Sequence, residues 1–190
     1  MSAEQEHAPG DTIASDATGT PSPMLDAKLW KNPCPISFRL NYLGLCYNGA
    51  LYDWVREAYG LSRPEYVCIY SLALSEGGTA RDISRTSGFP KNTLSRAIKR
   101  LEKLGLIERR GEAAIGARSQ ALHLSDSGWA LFDETVEVFT QQEQRMLAAL
   151  DSAERQILSG LLSKVVMAAQ DWAGDLPLPE TSSKPRKSSA

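Results

Sequence analysis

Gly88-Phe89-Pro90 leaves only three residues between two segments of helical character, and Gly105 closes the second of them. Glycine readily adopts the left-handed backbone that ends a helix. Proline is tolerated where the next helix starts, because its missing N–H would be unpaired there anyway. The spacing predicts a short helix over Ala80–Ser87, capped by Thr79 and with Asp82 near the positive end of the helix dipole. It predicts a second helix over Lys91–Leu104, with Leu94, Ile98, Leu101 and Leu104 on one face.

The flanking pattern extends this frame. Leu40, Leu43, Tyr47, Ala50, Leu51, Trp54 and Ala58 recur at three- and four-residue steps, which predicts a helix over Ile36–Tyr59 ended by Gly60. Ser62 and Glu65 form a capping-box pair for a helix carrying Tyr66, Val67, Ile69, Tyr70 and Leu74, stopped at Gly77-Gly78. After Gly105, Leu106–Arg110 and Ser119–Leu124 flank a loop at Gly111–Ala117, a β-hairpin in which Leu122 and Leu124 alternate with Ala121 and His123. A long helix follows from Ser125 to about Leu150. Asp151 with Glu154 opens the last one, to about Trp172. Residues 1–33 and 175–190 lack periodicity and are rich in small and polar residues and proline, so disordered tails are expected on either side of a folded domain at 34–174.

Charge gives this order a function. The chain carries a net −2, yet Arg81–Arg118 holds ten basic residues against four acidic ones, a local +6 that leaves −8 for the remainder. Helix, glycine turn, basic-faced helix and basic hairpin together read as a helix-turn-helix followed by a wing. A recognition helix must bury one face and offer donors to base edges and phosphates with the other. Lys91, Asn92, Ser95, Arg96, Lys99, Arg100 and Lys103 lie opposite the leucine face.

The segment TARDISRTSGFPKNTLSRAIKRLEKLGLIERR resembles the helix-turn-helix and first wing strand of the MarR family of transcriptional regulators, and ALHLSDSGWALF resembles its second wing strand and the turn into the long helix. The resemblance covers about Ile36–Trp172. It implies a mostly α winged helix-turn-helix fold of six helices with a small β-hairpin wing. It further implies a DNA-binding lobe at 79–124, dimerisation helices at 36–59 and 125–172, and an intertwined homodimer on a pseudo-palindromic double-stranded operator. Carried over by residue, Asn92, Thr93, Ser95, Arg96 and Arg100 fall where the family contacts DNA, and Arg118 falls at the wing-tip arginine that reaches the minor groove. Lys91, Lys99 and Arg110 complete the expected DNA-contacting set. One departure stands out: the family places an aspartate two residues before the wing-tip arginine, and here that position is Gly116.

The expected activity is that of a repressor released from DNA by a small aromatic carboxylate or its acyl thioester. Arg39, Tyr42, Tyr47 and Trp54 supply a cation and aromatic faces for such an effector. An alternative makes Cys34 or Cys46 a peroxide-sensing thiol, which requires a lowered pKa and access. Another keeps the fold as a protein-interaction module without DNA binding, for which the basic face has no use. Three dispersed cysteines argue against a disulfide framework and a zinc site, and no cofactor is expected. No phosphate loop, nucleophile elbow or HExxH occurs, so an enzyme is not expected; Asp133-Glu134 reads as a solvated helix face. With no apolar run of about 20 residues and no secretory start, a cytoplasmic location without membrane contact is expected.

Overall fold

The computed structural model describes residues 22–110 and 121–174, in two units divided after Met146. Eight helices and two strands occur among the described residues. The first unit contains α1 (Pro23–Trp30), α2 (Pro35–Tyr59), α3 (Arg63–Leu74), α4 (Ala80–Ser87), α5 (Lys91–Lys103), β1 (Ile107–Arg110), β2 (Ala121–Leu124) and α6 (Asp126–Met146). The second contains α7 (Ser152–Met167) and α8 (Ala169–Trp172).

Two findings correct the six-helix expectation. Helix α1 lies inside the stretch read as a disordered tail. Ser22 caps it by accepting the Leu25 N–H at 3.2 Å, and Pro23 opens it. Its order comes from α2. Arg39 donates from Nη2 to the Leu29 carbonyl at 3.0 Å and lies over the Trp30 ring, while Lys28 lies over Phe38. A helix held by long-range contacts leaves little periodicity in its own eight residues. The second correction is the break at Ala168, which divides the expected last helix into α7 and α8. No glycine or proline marks that position.

The core of the first unit is built around α3. Tyr66, Cys68, Ile69 and Leu72 are buried against Leu51 and Val55 of α2, against Ile83 of α4, Leu94, Ile98 and Leu101 of α5, and against Phe139 of α6. Tyr66 stacks on Phe139 with centroids 4.9 Å apart, and its hydroxyl shares a 2.6 Å hydrogen bond with the buried Thr135. From α2, the Tyr47 hydroxyl donates to the Phe139 carbonyl at 3.2 Å. Each fully buried leucine in this core contributes about 2 kcal/mol relative to an exposed one.

The strands pair antiparallel, Ile107 opposite Leu124 and Arg110 opposite Ala121. The Leu122 N–H donates to the Gly78 carbonyl at 3.0 Å and fastens the hairpin to the turn between α3 and α4. At the other end, the Ser125 hydroxyl donates to the Gly105 carbonyl and accepts the Gly128 N–H at 3.1 Å. Leu104, expected on the buried face of the recognition helix, instead caps it and is half exposed.

In the second unit, Asp151 and Glu154 form the expected capping box. Helices α7 and α8 bury no residue, and Ile157, Leu161, Val165, Val166, Met167 and Trp172 are all exposed. No helix among the described residues is long and apolar enough to cross a membrane.

Gly128 is where α6 touches the hairpin base. A Cβ there would sit 2.1 Å from the Leu106 carbonyl oxygen, which is backbone and cannot swing away. Gly128→Ala is therefore expected to cost about 3 kcal/mol or more, read as a lowered urea midpoint with unchanged slope.

Candidate nucleic-acid interface

The turn between α4 and α5 is short because both of its ends are closed locally. Thr79 and Asp82 cap α4 reciprocally, with Asp82 N to Thr79 Oγ1 at 3.3 Å and Thr79 N to Asp82 Oδ2 at 3.1 Å. The Thr79 hydroxyl, which donates to Asp82 Oδ2, and then the Thr79 N–H hold the Asp82 carboxyl below its usual range. Gly88 takes φ +73°, the left-handed region that lets α4 stop within one residue. The Ser84 hydroxyl then donates to the Phe89 carbonyl at 2.8 Å, and Pro90 precedes the first turn of α5.

Helix α5 buries Leu94, Ala97, Ile98 and Leu101 and leaves Lys91, Asn92, Ser95, Arg96, Lys99, Arg100 and Lys103 exposed, with Thr93 half-buried. The cations are not equivalent. Lys91, Arg96, Lys99 and Lys103 make no ion pair among the described residues. Arg109 pairs with Glu102 at 2.7 Å, and Arg110 pairs with Glu108 on its own strand. Arg118 and Gly116 lie outside the described residues.

Arg100 departs from its expected place in the DNA-contacting set. Its Nη1 donates to Glu65 Oε2 at 2.6 Å and its Nη2 to the Gly60 carbonyl at 3.1 Å. Both ends of the fork are turned to the corner between α2 and α3. Glu65 is only 6% exposed. Burial pushes its carboxyl up, but the hydrogen bonds from Arg100 and from the Ser62 N–H outweigh this and hold it below the usual carboxylate value.

The four residues expected to hold an effector do not meet. Arg39 is engaged with α1, and Tyr42 stacks on Phe38 at 5.7 Å. Tyr47 lines a cavity of about 500 Å³ with Leu43, Cys46, Gln142, Arg145 and Met146. Burial, and then Glu143, pushes the Tyr47 hydroxyl up to about 12. Trp54 packs edge-on against Tyr59. Sequence spacing on one helix could not place them, because each meets a different neighbour. A second cavity of about 550 Å³, along α2, contains residues that the sequence reading missed: Tyr52, Asp53, Arg56 and Arg63. Arg63 lies over the Tyr52 ring at 4.9 Å and the Phe89 ring at 5.8 Å. Its local sequence does not single it out, because the rings it meets lie 11 and 26 residues away, at Tyr52 and Phe89.

The cysteines also separate. Cys34 is exposed, Cys46 half-buried and Cys68 buried, and burial, then Glu65, pushes the Cys68 thiol up to about 12. Cys68 is a core residue.

A short turn, a buried-face helix carrying exposed cations and a two-stranded hairpin define a winged helix-turn-helix protein. Residues 59–114 match the MarR family model. Over those residues the chain is similar to the MarR family. It is 31% identical over 114 residues to the uncharacterized HTH-type transcriptional regulator YwaE of Bacillus subtilis, a match covering 58% of this chain and 64%, less than two thirds, of that regulator. Its fold is similar to a MarR family regulator from Silicibacter pomeroyi (TM-score 0.65, 24% identity, 80% of this chain and 98% of that one). It is also similar to the Mycobacterium tuberculosis MarR family protein Rv2887 in complex with salicylic acid (TM-score 0.58, 23% identity, 71% and 98%).

A carboxyl held low in the folded chain stabilises it above the unfolded value near 4.5, and that contribution is lost as pH falls through the lower folded value. Wild type is therefore expected to lose stability more steeply than Glu65→Gln as pH drops below about 4.5, measured by urea unfolding from pH 7 to pH 3.

Proposed function

We propose that the chain is a sequence-specific DNA-binding transcriptional regulator, a repressor that acts as a homodimer on a pseudo-palindromic operator. The observation that carries this is the exposed face of α5. Four cations that make no ion pair among the described residues stand beside Asn92, Thr93 and Ser95 on a helix whose other face is buried, and the wing follows directly. Cations can take phosphates, and asparagine and arginine can pair bidentately with base edges. Dimerisation is supported by apolar side chains that the single chain leaves uncovered. These are Ile36, Leu40, Leu43 and Leu45 on α2, and Ile157, Leu161 and Val165 on α7.

The effector reading moves from Arg39 to Arg63. A small aromatic carboxylate or its acyl thioester fits the cavity along α2, with Arg63 as the cation and Tyr52 as the aromatic wall. Arg56 is already paired with Asp53 at 2.8 Å. Arg63 also rests on Phe89, in the turn ahead of α5, so an anion that drew it away would disturb that turn. Such a ligand shifts DNA affinity only by the difference in its own affinity for the two states.

Arg96→Ala is expected to cost about 1–3 kcal/mol and relax base preference, while Lys103→Ala weakens all sequences alike. A gel-shift titration checks both, with two chains per duplex expected in the complex. Equal binding by wild type and Arg96→Ala would remove Arg96 from the interface. For the effector, Arg63→Gln is expected to weaken salicylate binding about tenfold in calorimetry and, because it also removes the Arg63–Phe89 contact, to lower DNA affinity without ligand as well. An unaltered isotherm would refute the pocket.

A further inference from the structure

Arg100 sits on the same helix as the exposed cations Lys91, Arg96, Lys99 and Lys103, at the spacing that sets it one turn beyond Arg96 and about 40° around the axis. Its surroundings differ from theirs. The guanidinium reaches back across the corner where α2 ends and α3 begins, and touches both. Nη2 donates to the carbonyl of Gly60, the C-cap of α2, where the helix dipole is negative and a cation is favoured. Nη1 donates to Oε2 of Glu65, and that same oxygen accepts the Ser62 N–H at 2.7 Å. One carboxylate oxygen therefore closes the first turn of α3 and receives the recognition helix.

We propose that Arg100 is a positioning residue, which fixes the rotation of α5 about its axis against α2 and α3 and so aims Arg96 and Asn92 at base edges; it is not itself a DNA contact. This rests on the DNA-binding reading above. The packing under α5 is apolar: Leu94, Ala97, Ile98 and Leu101. Apolar contact is not directional and tolerates small rotations, whereas a two-pronged fork on two fixed acceptors does not. Glu65 also has few alternatives. It is nearly buried, and a buried carboxylate that loses its cation is strongly unfavourable. The pair therefore holds α5 in register with the end of α2.

The two roles for Arg100 separate cleanly in an experiment. A 24-base-pair duplex would be selected from random DNA with the wild-type chain, and a scrambled duplex of equal length would serve as reference. Affinity for both is measured by fluorescence anisotropy across a salt series, for wild type, Glu65→Gln, Arg100→Gln, Arg100→Lys and the Glu65→Gln/Arg100→Gln double variant. Glutamine at 65 still caps α3 and takes nothing from the DNA-facing charge. A positioning role gives about a tenfold loss of preference for the selected duplex in Glu65→Gln, with an unchanged salt slope. Arg100→Gln matches it, and the double variant is no worse than either single. Arg100→Lys fails as well, because an ammonium keeps the charge but not the fork. A phosphate contact gives the opposite set. Glu65→Gln and Arg100→Lys then bind like wild type, and Arg100→Gln loses affinity for both duplexes, with the slope reduced by about one per protomer. That result overturns the proposal while leaving the DNA reading intact. A wild-type chain that selects no duplex overturns both. Should Glu65→Gln not fold, judged by far-ultraviolet dichroism, Arg100→Lys against Arg100→Gln decides alone.

Discussion

Tyr66, with no exposed surface, is where three helices of the first unit are held together. Its ring stacks on Phe139 of α6 and meets Tyr52 of α2 edge-on at 6.3 Å, and its hydroxyl bonds to Thr135. The ring supplies volume and the hydroxyl supplies register, because a buried hydroxyl without a partner costs about 1–3 kcal/mol. Thr135 passes the bond on by donating to the Leu131 carbonyl at 2.7 Å, so the chain of donors is complete. Burial pushes the Tyr66 hydroxyl up to about 12. Helix α3 carries Tyr66 toward α2 and α6 and Glu65 toward α5, so the placement of the recognition helix follows from how α3 is seated.

The basic island divides into cations that serve the fold and cations that face outward. Arg100, Arg109 and Arg110 each have a carboxylate partner. The two on the hairpin are exposed pairs, worth about 0–1 kcal/mol each, and their acids largely cancel the field they would project. Lys91, Arg96, Lys99 and Lys103 keep their charge for whatever approaches α5. Counting charges in a segment overstates its reach, since neutralisation depends on which acid lies within 4 Å. Glu65, from outside the segment, takes one further charge, and the exposed cations without an ion pair among the described residues lie on α4 (Arg81, Arg85) and α5.

Much of the frame was legible because local signals agreed with one another. Thr79 with Asp82 and Asp151 with Glu154 are capping pairs that form as their spacing requires. Gly60 and Gly88 end helices at positive φ, and the buried residues of α5 fall at the expected steps. Where the reading failed, the missing information was long-range. Helix α1 is ordered through Arg39 and Phe38 of α2, which meet its Leu29 carbonyl and its Lys28 and were not expected to reach it. Leu104 fits the apolar period, but the helix ends before its side chain can turn inward. Arg39, Tyr42, Tyr47 and Trp54 lie on one helix, and each is taken by a different neighbour.

The sequence by itself determined where helices begin and end, the order of helix, turn, helix and hairpin, and which face of Lys91–Lys103 is apolar. These depend on contacts within about four residues, which caps, glycine conformation and side-chain period encode directly. Only the tertiary structure decided which partners each charged or aromatic side chain meets. Arg96 and Arg100 are one turn apart on the same helix, and nothing in their local sequence separates them. Arg96 faces solvent, and Arg100 meets Glu65 and Gly60, residues 35 and 40 positions away. That difference arises because α3 is seated beneath α5 by Tyr66 and Leu72, and packing of this kind sets partners that chain proximity cannot.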